Sequence, residues 1–175
     1  MSEGEDEEGD GERATFSVND AVEKMGFGRF QYKLLFICGL CWMADAMEAM
    51  LLAFLSTSLE CEWDLEKWEV ALISSVVFVG MLLGSYCWGI FSDKYGRRIG
   101  YTATSAFTGL FGLLSAFSPN YIFVLLSRFL VGFGLGGAPV AFSLFSEYVP
   151  TAKRGFYLLI FELFWTVGTL LEAGL

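Results

Sequence analysis

Apolar residues fill this chain in long blocks rather than in the one-sided stripes of a soluble amphipathic helix, and polar residues gather between the blocks. Five blocks stand out, over 34–56, 70–91, 99–117, 121–145 and 155–175. At about 1.5 Å per residue each reaches, or nearly reaches, across a hydrocarbon core of about 30 Å. Five such segments joined by short connections predict an all-α, polytopic membrane helix bundle over 34–175. Pro139 inside the fourth block predicts a kink.

Two regions precede the bundle. Residues 1–16 are assigned to a disordered tail, because Glu3, Glu5, Asp6, Glu7, Glu8, Asp10 and Glu12 repel one another with little apolar surface to bury. Most of the net charge of −9 belongs to that tail. Residues 17–33 read as an amphipathic pre-helix on the membrane surface, with Val18, Val22 and Met25 on one face. This region ends in the interfacial mix Arg29, Phe30, Gln31, Tyr32 and Lys33. The acidic start does not resemble a secretory signal peptide, so insertion is assigned to an internal helix.

Composition narrows the function. With 55% hydrophobic residues, 18% charged residues and a mean hydropathy of +0.54, the chain is neither disordered nor an ordinary soluble domain. It has no histidine, which removes imidazole catalysis and the commonest metal ligand. No nucleophile, base and metal constellation can be assembled, so no enzyme, metal, cofactor or nucleic-acid partner is expected. Cys38, Cys41, Cys61 and Cys87 do not read as a disulfide framework, and the Cys38-x-x-Cys41 pair lies in an apolar block that keeps thiols neutral. All of the 11 lysines and arginines except Lys67 and Arg128 fall on one side of the five spans, which predicts a cytoplasmic N-terminus.

The connection after the second block reads Gly89, Ile90, Phe91, Ser92, Asp93, Lys94, Tyr95, Gly96, Arg97, Arg98. Gly89 is expected to permit close helix approach, Gly96 a tight turn, and Asp93 to pair with Arg97 or cap the next helix. Gly80 with Gly84, and Gly132 with Gly136, give two GxxxG spacings for helix packing. Gly132, Gly134 and Gly137 also satisfy GxGxxG, but no strand precedes them, so packing is preferred to a dinucleotide site.

The run from Gly89 to Arg98 resembles the GxLxDxxGRR/K signature of the major facilitator superfamily. Arg128, Gly132, Gly134 and Gly136 are similar to its RxxxGxGxG pattern, and Glu147, Pro150, Arg154 and Gly155 to the ExxPxxxRG motif of its sugar-porter branch. The stretches 25–31, 43–50, 75–81 and 164–169 resemble the synaptic-vesicle-two-related proteins and the plant organic-cation and nicotinate transporters near them. A departure is Val131, where many members carry glutamine. The resemblance implies the first five helices of a twelve-helix transporter whose two halves rock about a midplane site. It makes the chain a partial one that lacks the C-terminal half of the transporter. It also implies that Gly89, Asp93, Gly96, Arg97 and Arg98, with Glu147 and Arg154, form a cytoplasmic gating cluster.

Ionisable groups inside apolar segments are the candidates for chemistry, since each costs about 2.5 to 3.5 kcal/mol at a helix centre. They are Asp45, Glu48, Arg128, Glu162 and, nearer an end, Glu172. Helical rise sets Asp45 near the midplane and puts Glu48 and Arg128 about 9 and about 10 Å from the outer side, which predicts that they pair. Asp45 is then left without a basic partner and must carry a proton or face a cationic ligand. Trp42 and Trp165 are further candidates for stacking on a flat or cationic substrate, with packing as the alternative.

These readings predict a secondary active transporter of a small organic solute, an organic ion among the candidates, coupled through Asp45, Glu48 and Arg128, with a proton as the candidate coupling ion. The alternative is a non-transporting membrane interaction protein built on a truncated bundle, whose acidic tail recruits a partner.

Overall fold

A computed structural model describes residues 28–150 and 153–175. The acidic tail, most of the surface pre-helix, Arg13 and Lys24 lie outside the described residues. Six helices and no strand occur among the described residues: α1 (Arg29–Trp63), α2 (Lys67–Tyr95), α3 (Arg97–Ala116), α4 (Tyr121–Leu135), α5 (Ala138–Glu147) and α6 (Arg154–Gly174).

The first helix is longer than the first apolar block at both ends. Arg29 to Lys33, expected to flank the first span, are its first turns, opened by Gln31, whose side chain accepts the Gly28 amide at 2.9 Å. Its 35 residues rise about 52 Å, so the acidic C-terminal turns around Glu60 and Glu62 extend past a hydrocarbon core. Cys61, which lies between the first two apolar blocks, sits in those turns. Asp64 in a left-handed conformation ends the helix. The amide of Glu66 then donates to the Glu69 carboxylate at 3.0 Å and starts α2.

Gly96 alone separates α2 from α3, with φ 95° and ψ 143°, a conformation almost confined to glycine. The tight turn expected there is present. Gly96→Ala is expected to cost about 1 to 3 kcal/mol, read as a lower thermal midpoint in detergent. An unchanged midpoint would mean that the turn relaxes without strain.

The fourth apolar block is divided. Gly136 and Gly137 form tightened turns, with the Gly137 amide bonded to the Gly134 carbonyl at 2.9 Å, before α5 resumes with Pro139 in its first turn. Pro139 has no amide hydrogen to continue the preceding ladder, which accounts for the interruption.

Among the described residues four stretches are long and apolar enough to cross a membrane: α1, α2, α4 continued through α5, and α6. This differs from the five spans expected. The 20 residues of α3 rise about 30 Å and are long enough, but Arg97, Arg98 and a run of hydroxyl side chains leave the helix less apolar than the others. It still belongs to the bundle, where it packs on α4 and less extensively on α2 and α5.

The most extensive helix contacts are α2 with α4 and α1 with α6. Both GxxxG pairs meet in the first of these. A Cβ on Gly80 would strike the Phe129 carbonyl, one on Gly84 the Phe133 carbonyl, one on Gly132 the Val77 carbonyl, and one on Gly136 would come within 2.9 Å of the Gly84 carbonyl carbon. Gly89 behaves differently, since a Cβ there would meet nothing within 4 Å. Close helix approach therefore does not explain Gly89 among the described residues.

Buried side chains collect at two levels. Near the Gly96 end, Leu35, Tyr101, Phe145 and Phe161 join α1, α3, α5 and α6. At the opposite end Leu59, Ile73 and Val124 join α1, α2 and α4. Large apolar side chains such as Leu82, Leu113 and Leu170 point outward, the arrangement of a bundle whose solvent is lipid.

Candidate functional site

Glu48 of α1 and Arg128 of α4 lie at similar depth in helices that the fold brings together. Arg128 Nη1 donates to Glu48 Oε1 at 2.6 Å, as the depth argument predicts. Arg128 is 3% exposed, so its charge depends on this partner and on Ser115, whose Oγ accepts from Nη2 at 2.9 Å. Its Nε is buried without a hydrogen-bond partner.

Two α3 residues complete the pair and were not found from the sequence. Ser115 holds the guanidinium in place, donating in turn to the Gly112 carbonyl at 2.7 Å. Gly112 leaves room for the carboxylate, since a Cβ there would sit 3.3 Å from Glu48 Oε2. The available signal was a polar stripe along α3 through Thr104, Thr108 and Ser115. Thr104 and Thr108 use their hydroxyls on their own helix, at 2.8 and 3.0 Å, and only Ser115 reaches across to a charge.

The ion pair stands between two clefts. One, of about 650 Å³, is lined by Asp45, Glu48, Thr108, Ser115 and Arg128, between α1, α3 and α4. The other, of about 240 Å³, is lined by Glu48, Val77, Met81, Arg128 and Trp165. Asp45 belongs to the larger cleft, is 8% exposed, and has no ion pair among the described residues. A buried carboxylate without a basic neighbour is costly unless it is protonated or matched by a cation.

Glu162 and Glu172 are half-buried on α6, with no ion pair among the described residues. Trp42 packs against Phe161 and Trp165 at 5.4 and 5.1 Å between ring centroids, and only Trp165 reaches the smaller cleft. All four cysteines are free.

At the Gly96 end, Arg97 is the hub. Its Nη2 lies 3.4 Å from Asp93 and its Nε 2.6 Å from Glu147, so one guanidinium ties the end of α2, the start of α3 and the end of α5. Asp93 pairs with Arg97 and does not cap α3, whose N-cap is Gly96. Arg154 departs from expectation: its Nη2 donates to the Val149 carbonyl at 3.5 Å, its Nε is buried without a partner, and it has no ion pair among the described residues. Of the two residues expected to join the cluster, Glu147 does so through Arg97.

Residues 29–175 match the family model described as "Sugar (and other) transporter". The chain belongs to this family of the major facilitator superfamily. It is 51% identical over 158 residues to the synaptic vesicle 2-related protein of Xenopus laevis, covering 90% of this chain and 29% of that protein. It is 49% identical over 160 residues to organic cation/carnitine transporter 7 of Arabidopsis thaliana, covering 91% and 32%. To the human putative transporter SVOPL it is 40% identical over 164 residues, covering 94% and 33%. The chain thus spans about a third of the length of these relatives. Family membership and the four long apolar stretches make it an integral, multi-pass membrane protein.

Proposed function

We propose that this chain forms the N-terminal part of a secondary transporter that moves a small organic solute, an organic cation foremost, by alternating access. The observation that carries the reading is the Glu48–Arg128 pair, buried in an apolar bundle beside an Asp45 that has no ion pair among the described residues. Structural stability alone favours apolar residues at such depth, and intramembrane charge marks a site of ion or substrate handling. The name of the Arabidopsis relative supports a cationic solute.

In this reading Asp45 holds the coupling proton or the cationic group of the solute, and the Glu48–Arg128 pair separates the two clefts until one member changes partner. Arg97, bridging Asp93 and Glu147, acts as the cytoplasmic lock of one state, and the lysine and arginine bias sets the N-terminus in the cytoplasm. The C-terminal half of the transporter supplies the other wall of the solute path.

The test is uptake of a panel of radiolabelled organic cations by cells expressing the full-length protein. Asp45→Asn is expected to cut uptake by more than about tenfold with membrane abundance unchanged. Undiminished uptake would remove Asp45 from the mechanism. Loss of partner binding on deleting residues 1–12, with no uptake by the parent, would favour a membrane interaction protein.

A further inference from the structure

The span made of α4 and α5 breaks between the two charge clusters. Arg128 lies on α4, before the break, and Glu147 lies on α5, after it, where it holds Arg97; the neighbouring Arg98 is exposed and has no ion pair among the described residues. The break is clasped from two sides. A Cβ on Gly136 would come within 2.6 Å of the Ser85 amide nitrogen on α2, and one on Gly134 would strike the Thr108 hydroxyl on α3. One on Gly137 would strike the Thr104 methyl group and come within 3.2 Å of the Trp88 ring.

One backbone carbonyl loses its helical donor there. In a continuous α-helix the Phe133 carbonyl accepts from the Gly137 amide, but that amide donates to the Gly134 carbonyl at 2.9 Å. The indole Nε1 of Trp88, on α2, donates to the Phe133 carbonyl at 3.0 Å. A carbonyl left without a donor in hydrocarbon is costly, so this side-chain bond matters more than it does in water. The indole is also wedged in place: Trp88, Phe107 of α3 and Phe133 of α4 form a triangle with ring centroids 5.7 to 5.9 Å apart.

The Trp88 indole and the Gly137 amide are thus alternative donors to one carbonyl. Either satisfies it, so a broken span and a more continuous one lie close in free energy, the condition for a two-state element. Building on the alternating-access reading, we infer that Gly136 and Gly137 are the hinge of this span and that Trp88 is the positioning residue that holds it bent. When the Gly137 amide takes the Phe133 carbonyl, α5 swings relative to α4 and draws Glu147 away from Arg97. The Arg128 half stays fixed to α2 through the close contacts of Gly80, Gly84 and Gly132, so the Gly96 end opens while the Glu48–Arg128 pair stays made.

The test is hydrogen–deuterium exchange of the purified full-length protein in detergent, followed peptide by peptide, with uptake measured alongside. Trp88→Phe keeps an aromatic ring in the triangle and loses the donor. It is expected to speed exchange at the Gly96 end, over 92–98 and 141–148, by about fivefold, the weight of one net hydrogen bond, and to leave 52–63 at the far end of α1 no faster. Pro139→Ala returns an amide hydrogen to the segment and favours the continuous helix, so it should give the same pattern without touching Trp88. Phe107→Leu removes a ring of the triangle and keeps the hydrogen bond, and it should not. Maximal uptake by Trp88→Phe should fall by up to about fivefold at unchanged abundance, the limit set by the same shift in population.

Unchanged exchange at the Gly96 end in Trp88→Phe would overturn the inference. An equal rise in Phe107→Leu would overturn it too, by making ring packing the cause, as would a rise that extends equally over 52–63, which would leave Trp88 a source of general stability. Exchange is followed without any solute, so this inference and the transport reading fail separately: the first fails on the exchange pattern of Trp88→Phe, the second on the uptake of Asp45→Asn.

Discussion

Glu48→Leu is expected to destabilise the bundle by about 3 to 5 kcal/mol, and Arg128→Leu by less, although both break the same contact. The asymmetry comes from what each change leaves behind. Without Glu48, a guanidinium that is 3% exposed keeps its charge, because arginine does not lose its proton in a protein. Ser115 then remains as its only hydrogen-bonding side chain among the described residues. Without Arg128, the carboxylate of Glu48 reaches both clefts, with 21% of its side chain exposed, and can take up a proton. Thermal unfolding in detergent at neutral pH measures both. Exchanging the pair, Glu48→Arg with Arg128→Glu, should recover part of the loss. A double variant no more stable than either single exchange would mean that the 2.6 Å contact does not stabilise the fold.

Such a pair is legible in a sequence because the membrane makes depth a usable coordinate. Helical rise fixes how far each residue lies from an end, and the cost of intramembrane charge argues that two opposite charges at one depth meet. The same economy made the GxxxG spacings readable: without a hydrophobic force between helices in lipid, small residues mark close approach. Features set by neighbours were not legible. Gly112 and Ser115 matter because α3 passes beside Glu48 and Arg128, and nothing in their own sequence context distinguishes them from Gly109 or Ser105. Arg154 was assigned to the charge cluster by a motif, yet Glu147 bonds Arg97 while Arg154 turns to the Val149 carbonyl. The first helix runs beyond its apolar block because Gln31 can cap it upstream and a helix persists into water while its polar turns satisfy their own backbone.

The same substitution at two glycines should move stability in opposite directions, and this tests the glycine argument more sharply than any single change. Gly132→Ala places a methyl group against the Val77 backbone of α2, 2.9 Å from its Cα and closer still to its carbonyl oxygen. Backbone cannot rotate aside as a long side chain can, so α2 and α4 must separate, at a cost of about 1 to 3 kcal/mol. Gly132→Leu is expected to leave no folded monomer on size-exclusion chromatography in detergent. At Gly89, also within a helix, a methyl group meets nothing within 4 Å. There the change removes only the conformational freedom of glycine, and a gain of about 0.5 to 1 kcal/mol is expected. If Gly89→Ala proves as damaging as Gly132→Ala in the full-length protein, a surface beyond the described residues presses on Gly89. In that event the glycine of the Gly89–Arg98 motif serves contact with the remainder of the transporter. If both variants are harmless, the α2–α4 crossing is looser than its geometry requires, and the close approach of the two GxxxG segments does not hold the bundle together.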